Sequence, residues 1–132
     1  MALFGQGQSH RNNPLLAQIE AAHQRRLTGQ QIGLVRGRHL VDWVPTVREL
    51  LREGREDEAL TLLLEIIEAA GRVAAVDGVA PPTGYIQQAV DIYQGRGDES
   101  GEVAVLEQYV AACPPGVGDP GLLARLADLR DE

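Results

Sequence analysis

The residues able to do chemistry in this 132-residue chain are few and scattered. The three histidines, His10, His23 and His39, do not fall with other ligands into a metal-site pattern. His23 reads as a boundary residue on a first helix, and His39, beside Trp43 at a helix start, as a local hydrogen-bonding group. Cys113 closes an apolar stripe just before Pro114-Pro115 and reads as an inert core thiol rather than a nucleophile. Gly5-Gln6-Gly7 and Gly95-Arg96-Gly97 lack the preceding strand that a phosphate loop needs. Acid pairs such as Glu53 and Glu56 sit around turns, where helix-end charges belong. No enzyme, cofactor or metal is therefore expected. Arg48 and Arg52 are i,i+4 neighbours: they either grip a carboxylate through bidentate forks or pair with Glu49, Glu53 or Glu56 as a solvated face.

These side chains must be positioned by helices. Residues 1–13 read as an irregular arm anchored only by Leu3 and Phe4. Asn13-Pro14 then opens a helix whose apolar side is Leu15, Leu16, Ile19, Ala22, His23 and Leu27, with Gly29 as its stop. Gln30–Leu40 reads as a linker without a strand. A second helix is expected over Asp42–Glu53, with Pro45 in its first turn and Gly54 after it. A third opens on Glu56, Asp57 and Glu58 and runs to Val76, before Asp77-Gly78. Its polar stripe is Asp57, Thr61, Glu65, Glu68 and Arg72, and the rest is apolar, so it must be buried over most of its circumference.

A fourth helix, capped by Thr83, should reach Arg96 and bury Tyr85, Ile86, Ala89, Val90, Ile92 and Tyr93. Asp98 caps a fifth, with Val103, Leu106, Tyr109, Val110 and Cys113 inward. Asp119-Pro120 repeats the cap-plus-proline signal and opens a last helix carrying Leu122, Leu123, Leu126 and Leu129. The expectation is an all-α fold of about six helices, one domain over residues 14–132.

Composition bounds the function. Hydrophobic residues make up 44% and charged residues 23%, as in an ordinary globular domain. One cysteine excludes a disulfide framework. No apolar run reaches the ~18 residues of a membrane span, and Met1–Gly7 lacks a signal-peptide pattern, so a cytoplasmic protein without a membrane role is expected. All twelve basic residues are arginine, as a G+C-rich coding sequence would favour. Residues 1–40 carry five arginines against one acid, +4, and residues 41–132 carry seven against eighteen, −11, which together give the net −7. Most of the chain would repel phosphate, so no nucleic-acid partner is expected. The basic third either packs on the acidic remainder or meets an acidic partner.

Two segments share one grammar: a helix, a Gly turn and an acid-started helix. Aligning Gly54 with Gly97 sets Leu50 on Tyr93 and Ala59 on Glu102, and the copies lie 43 residues apart. Such hairpins cannot bury their apolar faces alone and must stack. With Trp43 at the first-helix aromatic position, Leu50 at the large apolar position, Gly54 at the turn and Ala59 where helices cross closely, residues 41–113 resemble the tetratricopeptide repeat. Thr46-Val47 replace the family's Leu-Gly pair, and Glu102 stands where it places a small alanine. More loosely, the chain is similar to short repeat proteins of actinobacteria. The resemblance implies two stacked hairpins closed by a C-terminal capping helix over about 119–131. It also implies a partner-binding groove on the first helices, lined by Val44, Arg48, Leu51 and Arg52 from one copy and Gln87, Asp91 and Gln94 from the other. The Lys/Asn carboxylate clamp of the family is absent. The function implied is a protein-protein interaction module for a peptide or partner domain. The alternative is a self-assembling subunit of a homo-oligomer.

Overall fold

The computed structural model describes residues 15–22 and 32–131. The arm 1–13, the helix start at Asn13-Pro14, His10, His23, Leu27 and Gly29 lie outside those residues. Among the described residues the fold is all-α with about six helices, as expected, plus one small ribbon. A helical segment at 15–22 comes first. Then follow β1 (Leu34–Val35), β2 (Arg38–His39) and a 3-10 turn (Leu40–Trp43). The remaining helices are α1 (Val44–Arg52), α2 (Glu56–Asp77), α3 (Thr83–Arg96), α4 (Glu99–Ala112) and α5 (Pro120–Asp131).

The ribbon corrects the reading of Gln30–Leu40 as a linker. Leu34 pairs with His39 and Val35 with Arg38 in antiparallel register. The two-residue turn between them has positive φ at both positions, 51° at Arg36 and 85° at Gly37. That is the turn whose twist matches a hairpin, and its usual signal is Asn-Gly or Asp-Gly. Arginine at the first position hid it.

The expected Asp42–Glu53 helix is split, and Pro45 is the reason. Proline has no N–H to give Val41, four residues back, and its ring crowds that carbonyl. The Val41 carbonyl instead accepts the Val44 N–H in a 3-10 turn, and the α-helix begins at Val44.

Helix α2 runs one residue past its expected end, to Asp77, and stops at Gly78 in the left-handed region, φ 69°. It divides the interior. Its residues Leu62, Ile66, Ala69 and Ala70 join Val35, Leu40 and Val47 in one cluster, with Trp43 and Leu50 packed around it. Leu60, Leu63 and Ile67 join Ile86, Ala89, Val90, Val105, Leu106, Tyr109, Leu122, Leu126 and Leu129 in the other. Two cores on two sides explain why so much of this helix is apolar. Of the expected stripe, Asp57, Thr61, Glu68 and Arg72 are exposed and Glu65 is half-buried.

Helices α3 and α4 pack closely, and α4 carries α5. Pro82 rather than Thr83 is the residue before α3. Asp98 caps α4 as expected, its Oδ1 accepting the Gly101 N–H at 2.9 Å. Asp119 likewise accepts the Leu122 N–H at 3.1 Å. The inward face of α4 is Glu102, Val105, Leu106 and Tyr109, whereas Val110 is exposed and Val103 and Cys113 are half-buried. In α5, Leu123 is exposed while Leu122, Leu126 and Leu129 are buried.

Candidate functional site

The ribbon is held to α2 by arginines. The Arg36 guanidinium pairs with Glu65, with Nε 3.2 and 3.1 Å from its two oxygens and Nη2 in contact as well. Arg72 pairs with Glu68 at 3.0 Å and donates to the carbonyls of Ile32, at 3.0 Å, and Leu34, at 3.4 Å. Within the described residues, the basic third therefore meets the acidic remainder through Arg36. Arg38 stacks over Trp43, 4.5 Å from the ring centroid, and the Trp43 Nε1–H donates to the Val35 carbonyl at 2.7 Å. Trp43→Phe keeps the ring stack and removes that bond, so a loss of about 1 kcal/mol is expected. Denaturation followed by circular dichroism would measure it, since Trp43 is the chain's one tryptophan. An unchanged midpoint would refute the bond's role.

What the ribbon positions is an apolar hollow. Leu40 and Val41 from the 3-10 turn meet Ala70, Val73 and Ala74 of α2, and the α2–α3 loop adds Val79, Ala80 and Pro82. Tyr85 completes the lining, and the space is about 290 Å³. Two polar residues rim it, His39 and Asp77. His39 Nδ1 accepts the Val41 N–H at 3.3 Å, so the proton of the neutral ring sits on Nε2. Val41 and Val79 stand 55% and 51% exposed beside the space. Bulky aliphatic residues gathered around an open depression form the kind of surface that a partner's side chains can fill. Sequence reading missed this site, because no helical period covers Val41 or the α2–α3 loop that carries Val79, Ala80 and Pro82.

The expected groove residues lie elsewhere. Val44 is half-buried, and Leu51 and Arg48 are exposed. Arg52 pairs with Glu49 at 3.0 Å, within its own helix. Gln87 donates to Asp91 at 2.9 Å, again within one helix, and Gln94 donates to Glu102 at 3.0 Å. Helices α1 and α3 both lie on α2 and share no extended contact.

No family model matches the chain, and neither do any curated protein or solved structure. The tetratricopeptide likeness thus rests on the quoted residues themselves.

A second polar feature is buried. The Glu102 side chain is 2% exposed and is gripped by Arg125, Nε at 2.7 Å and Nη2 at 3.0 Å, and by Gln94. The Arg125 fork holds its carboxyl below the usual glutamate range despite the opposing effect of burial. Glu102 thereby joins α3, α4 and α5. Arg96 makes a comparable but exposed tie, donating to Glu56 at 2.6 Å and Asp57 at 2.7 Å and so joining the end of α3 to the start of α2. The Tyr109 hydroxyl accepts the Asp119 N–H at 2.8 Å, and burial pushes its phenol above the ordinary 10. All of these contacts fasten helices together. Among the described residues no three His, Cys, Asp or Glu side chains converge as a metal site, and no helix is long and apolar enough to cross a membrane.

Proposed function

We propose that this chain is a non-enzymatic, tetratricopeptide-like interaction module of the cytoplasm, and that its partner is a protein. The observation that carries the reading is the open apolar hollow beside the exposed valines Val41 and Val79. The seat on the first helices, through Val44, Arg48, Leu51, Arg52, Gln87, Asp91 and Gln94, is the weaker alternative. Four of its polar groups already engage neighbours of their own chain: Arg52, Gln87, Asp91 and Gln94. The −11 charge of residues 41–132 favours a protein partner over nucleic acid.

Two double variants separate the seats. Val41→Glu with Val79→Glu sets carboxylates at the hollow, and Arg48→Glu with Arg52→Glu reverses the α1 face. All four positions are exposed or at the surface, so helicity should be unchanged in both. Partner capture from source-cell lysate is expected to fall at least about tenfold in the first variant and persist in the second. The reverse pattern would move the seat to α1, and undiminished capture by both would refute each seat.

A further inference from the structure

We propose that the occupant of the hollow is a second copy of this chain, seated across a two-fold axis, with His39 of each protomer donating to Asp77 of the partner subunit. The inference rests on the interaction reading above and names its partner.

An isologous interface uses one patch twice, so the patch must be complementary to itself. This one is, in its polarity. It contains a depression lined by the exposed Val41 and Val79, apolar surface that can pack on the same residues of another copy. Its rim contains one donor and one acceptor. Nδ1 of His39 is taken up by the Val41 N–H, which leaves the Nε2–H as the ring's donor. The Asp77 carboxylate has no hydrogen bond or ion pair among the described residues. It stands in the last turn of α2, where no basic residue accompanies it. A carboxylate there faces the negative end of the helix dipole. A donor or cation from outside the chain relieves that, and a two-fold arrangement supplies it twice. A partner carrying only acids or only bases would satisfy one half of the rim and oppose the other.

The test is the solution mass of the full-length protein by sedimentation from micromolar to near-millimolar concentration, for the native chain and three variants. Aspartate accepts an N–H at a helix start as histidine does here, so His39→Asp keeps the Val41 bond. The native chain is expected to dimerise. His39→Asp and Asp77→His are each expected to weaken the dimer about tenfold or more by setting like groups opposite one another. His39→Asp with Asp77→His together should restore it. Failure of the double swap to restore the dimer would overturn the pairing. A chain that stays monomeric throughout overturns the second copy as occupant. Capture of a foreign partner lost in Val41→Glu/Val79→Glu would then leave the interaction reading standing, and no loss would overturn both. A monomer destabilised by Val41→Glu would point instead to a segment within residues 1–31 as occupant, and also overturns the pairing.

Discussion

Arg125→Ala is expected to destabilise the fold by about 3 kcal/mol at neutral pH, roughly a 10 °C drop in Tm. The cost comes less from the lost contact than from what it leaves behind. Glu102 is 2% exposed, so its carboxylate cannot rehydrate in place, and only Gln94 remains as a donor. Because Arg125 itself is 40% exposed, water weakens the pair, and the lower end of the range for a broken buried ion pair applies.

The pH dependence tests the same claim with opposite signs. In the native chain the Glu102 carboxyl is held below its ordinary 4.5. It therefore contributes stability that is present above 4.5 and lost as pH falls through the lowered value. Without Arg125, burial dominates and lifts the carboxyl above its unfolded value. The variant's deficit should then shrink in acid as the folded state takes up the proton first. Glu102→Gln, which has no charge to lose, should flatten the native profile below 4.5. Urea titrations at several pH values would show this, and a deficit in Arg125→Ala independent of pH would refute it.

This buried acid also shows where the sequence could and could not be read. Several helix boundaries followed from local chemistry. The Gly78 and Gly97 stops, the Asp98 and Asp119 caps and the acidic first turn of α2 each stand where the residue types place them. The face of α4 followed in part: Leu106 and Tyr109 are buried as expected, whereas Glu102 and Val105 take the inward positions in place of Val103, Val110 and Cys113. Residues 102, 105, 106 and 109 share one side of a helix, and that period places Glu102 inside. The signal in the sequence is that spacing together with Arg125 on α5, the cation that makes a buried carboxylate tolerable. The hollow was harder to see. It joins a ribbon, a 3-10 turn, the end of α2 and a loop; of these the end of α2 alone carries a helical period, and only tertiary packing brings them together.

Gly101→Ala is expected to destabilise by about 1–3 kcal/mol, although alanine is the better helix former. A Cβ at this position would overlap the Tyr93 ring at Cδ1, Cε1 and Cζ. Gly71→Ala, deeper in a helix, would meet only the Ala112 Cβ at an ordinary 3.7 Å, and should stabilise by about 0.5–1 kcal/mol. The contrast removes intrinsic propensity from the comparison. Adding Tyr93→Ala to Gly101→Ala should recover part of the loss, a coupling that a double-mutant cycle reads directly. If Gly101→Ala stabilised as Gly71→Ala does, the ring would be free to swing aside and the close approach would carry no weight. The expected outcome also accounts for Glu102. In the first hairpin the corresponding small residue is Ala59, which is fully buried. In the second, Gly101 takes that role against Tyr93, one position earlier. The next residue is thereby released to turn toward α5, where a carboxylate meets Arg125. Gly101→Ala and Arg125→Ala should therefore fail to add, because the first displaces the helix face on which the second acts.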